Sequence, residues 1–279
     1  MRARSPLIVA FVTALGLLAT SPISAQQPFG FGPRPDYDPV VPGFTDTEVT
    51  RLVSTLDALL SVRKEPVAWT ADAAYTLWDF ARHLQSARLT TAQEARVLRH
   101  LDSLAKSYPD TPAIIDKTRY MVSALTVGKT APEIAGSDLD GVPFKLSDYR
   151  GKVVLLVFTG EWCGICRSQY PYERLLQELY KGWPFAILSV ESGTDPEVTK
   201  KANSEQGLQF RSWWNGEARA DNTIASSWNV VGWPAAYLLD AQGVIRFVDL
   251  RDENLLKGVR QLLLEQQQQT SATPKTAPR

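Results

Sequence analysis

Cysteine is scarce: the chain has two in 279 residues. Two thiols cannot build a disulfide framework or fill a four-thiolate metal site. Histidine is equally scarce, with only His83 and His100. Neither has a partner at ligand spacing, so both read as packed or solvated helix positions, and no metal or cofactor site is expected. Net charge is absent, with 30 Lys+Arg against 30 Asp+Glu. That removes the basic footprint of a nucleic-acid binder or of a protein held on an anionic membrane surface. The apolar run near the start, Leu7 to Leu18, is too short for a membrane span.

Hydrophobic content of 44% and charged content of 22% suit a globular chain with a real core. Residues 1–25 read as a signal peptide: Arg2 and Arg4, the apolar run, then Ile23-Ser24-Ala25 as a small-residue cleavage site. No cysteine lies there, which excludes a lipoprotein anchor; an uncleaved N-terminal anchor is the alternative. The folded part is therefore expected outside the cytoplasm, periplasmic or secreted. Residues 26–44 are a Pro/Gly-rich linker.

Residues 45–126 read as a small all-α module. Thr45 and Glu48 form a capping box, followed by apolar residues at helical spacing from Val49 to Leu60. Ala74 to Leu84 marks a second helix. A box at Thr91 and Glu94 opens a third, and Thr111-Pro112 a fourth. From Gly128 the pattern alternates strand and helix. Val153 to Phe158 and Phe185 to Val190 are uninterrupted apolar runs, as in strands buried on both faces. Leu139 to Val142 is a turn, and Ala236–Leu239 with Val244–Val248 a hairpin. Helices are expected over 167–179, 196–206, 224–228 and 254–264. Residues 266–279 read as a disordered low-complexity tail.

Both cysteines fall in one tetrapeptide, Cys163-Gly-Ile-Cys166, between a buried strand and a helix. A Cys-x-x-Cys there is the arrangement of a thiol–disulfide redox centre. The segment Thr159-Gly-Glu-Trp-Cys-Gly-Ile-Cys-Arg167 resembles thioredoxin, and the resemblance runs from about Gly128 to Leu264. Gly128-Lys-Thr-Ala-Pro132, Leu146 to Lys152, and Gly232-Trp-Pro234 before Leu238-Leu-Asp-Ala-Gln-Gly243 are similar to the TlpA-like group of the redoxin family. Those are exported thiol–disulfide oxidoreductases. The resemblance implies an α/β fold, a thioredoxin-like central sheet flanked by helices over 128–265, with the helical module in front. It implies a redox disulfide Cys163–Cys166, and a cis Pro234 with Trp233 offering its backbone to a bound peptide.

A helix starting at Cys163 aims free N–H groups and a positive dipole end at its sulfur, favouring thiolate. Cys163 is then the exposed nucleophile and Cys166 the resolving thiol. Trp162, Trp233 and Pro234 are expected to form the substrate-binding surface. Trp213, Trp214 and Trp228 are expected in the core. Three departures from the family pattern stand out. Ile165 replaces a proline, Val157 a buried Asp, and Gln169 a Glu carried by some relatives. Glu161, the nearest acid, reads as a solvated charge.

The expected function is exchange of disulfides with protein partners outside the cytoplasm, as a reductase fed by an upstream electron donor. A peroxiredoxin-type peroxidase is the first alternative. It wants a Thr three residues before its cysteine, where this chain has Gly160. A binding module with little redox activity is the second.

Overall fold

The computed structural model describes residues 43–61, 71–108 and 112–272. The segment expected to be a signal peptide and most of the linker lie outside the described residues, as do residues 273–279.

Among the described residues four helices come first: α1 Asp46–Ser61, α2 Ala71–Gln85, α3 Thr91–Ser107 and α4 Pro112–Ala124. At the head of α1, Glu48 N–H donates to Thr45 Oγ1 at 3.2 Å, and Thr45 N–H to Glu48 Oε2 at 2.7 Å. The box expected on Thr91 and Glu94 sits one residue earlier, on Thr90 and Gln93. Glutamine has donors that glutamate lacks. The Gln93 amide donates to the Phe44 carbonyl and to Asp46 Oδ1, tying α3 to the start of α1. Gly43 and Phe44, at the end of the expected linker, are already pinned to Arg88.

A hairpin of β1 Ala135–Ser137 and β2 Pro143–Lys145 follows. Then come β3 Val153–Thr159, α5 Gly164–Leu179, β4 Phe185–Ser192 and α6 Pro196–Glu205. β5 Arg211–Gly216, α7 Ile224–Ser227, β6 Ala235–Leu239, β7 Ile245–Val248 and α8 Asp252–Ala272 complete the described residues. The sheet order is β5-β4-β3-β6-β7. The first three strands are parallel, β6 runs against β3, and β7 against β6, in the direction of the first three. Every residue of β3 is buried, because helices cover both faces.

Two differences from the sequence reading have simple causes. β5 carries Arg211, Ser212 and Asn215 among its tryptophans, so it lacks the apolar signature of a buried strand. Its polar groups are satisfied by tertiary partners: Arg211 Nε lies 2.7 Å from Asp138 Oδ2, and Ser212 Oγ lies 2.6 Å from Ser189 Oγ. The last helix does not stop near Leu264 but runs to Ala272, through the first part of the expected disordered tail. Glutamine is a good helix former, and Gln266 Nε2 is anchored on the Gly151 carbonyl at 2.7 Å.

One side of the sheet packs Val154, Leu156, Phe158, Leu188 and Val190 into the same core as the four N-terminal helices. Trp213 and Trp228 lie in that core, while Trp214 is half-buried. The other side packs Val153, Leu155, Val157 and Ile187 against Leu176 of α5 and Leu255, Val259 and Leu262 of α8. The helical module and the sheet are also joined by an ion pair between Arg82 of α2 and Asp249 after β7. Asp249 is fully shielded, and its Oδ1 accepts the Ala236 N–H at 2.8 Å. Arg82→Ala leaves that carboxylate buried without its cation. It should cost about 3–5 kcal/mol in chemical denaturation.

Candidate active site

The buried run of β3 ends at Thr159, and a three-residue turn leads to Cys163 at the N-cap of α5. Cys163 Sγ takes the place of a capping oxygen and accepts the Cys166 N–H at 3.2 Å. The two sulfurs are bonded to each other, with Cα atoms 5.2 Å apart. The positive end of the helix therefore meets Cys163, the sulfur that would carry charge in the reduced state. Cys163 is the more accessible of the pair, but at 6% against 1% both are buried. The solvent-facing places belong to Trp162 and Ile165, each about half exposed.

The turn is built on contacts that allow no side chain at position 160. A Cβ on Gly160 would collide with the Ser192 carbonyl oxygen and the Trp162 indole nitrogen. With glycine there, Trp162 Nε1 donates to the Ser192 carbonyl at 2.8 Å and locks the turn to the end of β4. The Trp162 ring lies 5.9 Å from Trp233, whose peptide bond to Pro234 is cis. Arg251 holds the Pro234 carbonyl at 2.8 Å. Cys163, Cys166, Trp162, Trp233 and Pro234 thus fall in one region. Trp78 of α2 joins them, packed over Gly232 and 5.5 Å from exposed Tyr75. Nothing in the sequence assigns Trp78 to this rim. At Gly164 a Cβ would meet open space, so the outer side of the turn is uncovered.

The departures resolve differently. Gln169 is a clamp: its Nε2 donates to Asp252 Oδ1, and its Oε1 accepts the Asp252 N–H, both at 3.0 Å. Glu161 is half-buried, where a solvated charge was expected, because Thr199 Oγ1 of α6 donates to its Oε2 at 3.0 Å. Two further acids, Glu173 of α5 and Glu191 of β4, are buried at 3% and 0% exposure. Burial, then the charge of Glu191, pushes Glu173 up to about 8. Burial pushes Glu191 up to about 7 against the hydrogen bonds of Ser189 and Asn203, with Glu161 adding to the rise. The sequence reading passed over both acids. The available signal was an acid at a core-facing position: Glu173 follows Cys166 and Tyr170 along one face of α5, and Glu191 extends the apolar run of β4.

Residues 127–248 match the family model described as the AhpC/TSA family. The thiol-disulfide oxidoreductase ResA of Geobacillus kaustophilus is 34% identical over 124 residues, 44% of this chain and 69% of that protein. The chain belongs to the redoxin family of thiol–disulfide oxidoreductases. ResA of Bacillus subtilis is 25% identical over 122 residues, covering 44% of this chain and 66% of the relative. Among solved structures, the thioredoxin domain of a thiol-disulfide oxidoreductase from Bacteroides vulgatus is 30% identical. It has a TM-score of 0.46 and covers 50% of this chain and 99% of its own. A thiol:disulfide interchange protein from Bacteroides sp. is 29% identical, with a TM-score of 0.45, covering 50% of this chain and 91% of its own. As a member of this family the protein is a thioredoxin-like redox enzyme. The family match begins one residue after the helical module, at 127.

Gly160→Ala should break the Trp162–Ser192 contact and cost about 1–3 kcal/mol, read as a lower Tm with altered tryptophan fluorescence. The buried acids set a pH dependence. Both are raised above their unfolded value of 4.5, so the fold gains from their neutral forms. That gain is whole below about pH 4.5 and is lost as pH rises through 7 to 8. The denaturant midpoint of Glu173→Gln should fall less between pH 5 and 8 than that of the parent. Equal slopes for the two proteins would show that Glu173 is not held neutral.

Proposed function

We propose that the Cys163–Cys166 pair is the redox centre of an extracytoplasmic oxidoreductase that reduces disulfides in protein partners. The observation that carries this reading is the bonded pair at the N-cap of α5, with Cys163 Sγ accepting the Cys166 N–H. The Cys163 thiolate attacks a partner disulfide: a Cys163–partner bond forms and the first partner sulfur leaves as thiolate. Cys166 then attacks Cys163 Sγ, closing the internal disulfide and releasing the second partner sulfur. Two electrons pass to the partner, and an upstream dithiol returns them. Half-exposed Trp162 and Ile165, with Trp233–Pro234 and Trp78 beside them, supply an apolar rim on which a polypeptide can lie. No metal or organic cofactor is needed for this exchange.

Direction follows from how strongly the reduced form is stabilised. A strong oxidant needs a strongly favoured thiolate. The cap supplies one N–H at 3.2 Å, and the carboxyl of Glu161, two residues before Cys163, opposes negative charge there. That balance favours an electron donor. Against the peroxidase reading stands Gly160, whose surroundings leave no room for a threonine.

Cys166→Ser should accumulate mixed disulfides with partners and Cys163→Ser should trap none; equal trapping by both would sink the assigned roles. Equilibrated with glutathione, the disulfide form should predominate until the buffer is strongly reducing. A centre as oxidising as the glutathione couple itself would reverse the direction proposed.

A further inference from the structure

Cys166 is 1% exposed, so a proton it gains or loses has no direct path to bulk water. α5 presents Cys166, Tyr170 and Glu173 on one buried face, at spacings of four and three residues. Across from α5, Val157 and Thr159 of β3 lie level with Ser189 and Glu191 of β4. The Glu191 carboxyl leans back along its strand: its Oε1 accepts Ser189 Oγ at 2.9 Å and Asn203 Nδ2 at 3.2 Å. That places it beside Val157, on the side of the sheet that α5 covers. Its other oxygen, Oε2, is buried without a hydrogen-bond partner. The Tyr170 hydroxyl and Thr159 Oγ1 are in the same condition. These two hydroxyls approach one another without completing a bond of good geometry, and Glu191 is the acid with the largest influence on Tyr170. Three orphaned oxygens, two hydroxyls and a carboxyl, gather around Tyr170, one helical turn beyond Cys166 on the same buried face. A buried polar group without a partner costs about 1–3 kcal/mol, so such a cluster asks for a role.

We propose that Glu191 takes up and returns the proton of Cys166, acting through the hydroxyls of Tyr170 and Thr159. The proposal rests on the exchange reading given above. In the mixed disulfide, the Cys166 proton passes through the hydroxyls to the Glu191 carboxylate. The Cys166 thiolate then attacks Cys163 Sγ, the internal S–S bond forms, the Cys163–partner bond breaks, and the partner leaves as thiolate. On the return leg a donor thiolate attacks Cys163 Sγ. Cys166 departs as thiolate and takes its proton back from Glu191, and the second thiol of the donor completes the reduction. Protons and electrons balance over the cycle, with a partner disulfide as oxidant and a donor dithiol as reductant.

The groups facing this carboxyl come from every element around it. Glu173 and Tyr170 stand on α5, Glu161 and Thr159 at the turn, Ser189 on β4, and Asn203 and Thr199 on α6. Ser212 of β5 completes the ring through Ser189. The nearby cations, Arg174 and Arg251, act on Glu173. Burial and Glu161 hold Glu191 near 7, the range in which a proton carrier works in both directions.

The test uses the full reduced chain and 5,5′-dithiobis(2-nitrobenzoate). Attack by Cys163 releases one thionitrobenzoate, and attack by Cys166 releases the second. In the parent the second phase should rise with pH through an inflection near 7. Glu191→Gln should lose that inflection and slow the second phase about a hundredfold at neutral pH, leaving the first phase unchanged. Glu191→Asp should recover part of the rate. Asn203→Ala removes a hydrogen bond that favours the ionised carboxyl, so it should move the inflection to higher pH. A folded Glu191→Gln protein with the parent's second phase overturns the proposal while leaving the exchange reading intact. Should that variant not fold, an unmoved inflection in Asn203→Ala overturns it equally. A parent that releases no second thionitrobenzoate overturns the exchange reading, and this proposal with it.

Discussion

A sulfur atom stands where the first turn of α5 needs an acceptor. Cys163 Sγ takes the Cys166 N–H, so the helix is capped by one sulfur of the bonded pair. Much of the surrounding structure serves to bring the chain to that point at the right angle. β3 delivers it from the middle of the sheet, where every residue is buried and the strand has no freedom to slide. Gly160 lets the turn pass against the end of β4, and the Trp162 indole fastens it there. Gln169, one turn beyond Cys166, ties α5 to the first residue of α8 through a reciprocal pair of hydrogen bonds. The helix that carries the cysteines is thus fixed at its head and along its flank.

The parts of this arrangement that were legible in the sequence share one property: local pattern and tertiary role agree. The apolar runs of β3 and β4, the Thr45 capping box, Pro112 at a helix start and the Cys-x-x-Cys after a buried strand all declare themselves without outside help. The parts that were not legible depend on partners distant in sequence. β5 looks polar because Asp138 and Ser189 are not its neighbours in the chain. The capping box of the third helix sits one residue earlier because Gln93 finds acceptors on Phe44 and Asp46 at the start of α1. The glutamine run stayed helical because Gly151, far away in sequence, accepts from Gln266. The rim tryptophan of α2 and the buried acids of α5 and β4 are cases of the same kind. Their meaning lies in which strand or loop sits opposite.

The acids also show how cost and use separate in a small enzyme. Glu173 and Glu191 each occupy space that an apolar side chain would fill more favourably. Their neutral forms limit that cost, and hydrogen bonds from Ser189 and Asn203 limit it further for Glu191. The opposite face of the sheet carries the large aromatic core, with Trp213, Trp228, Tyr237 and Phe158 buried together. The large aromatic side chains are concentrated on one side of the sheet, and the two buried glutamates sit on the other.

That division bears on where this protein can be cut. The stretch with family relatives begins at residue 127, which invites treating it as a separable domain. The hydrophobic core does not respect that point, since Leu77, Leu101, Ile115 and Met121 belong to the same cluster as Phe158 and Tyr237. A fragment trimmed to the family boundary would carry a raw apolar wall along its aromatic side and a buried Asp249 that has lost the Arg82 cation. For expression, crystallisation or labelling, the smallest honest unit is the helices and the sheet together.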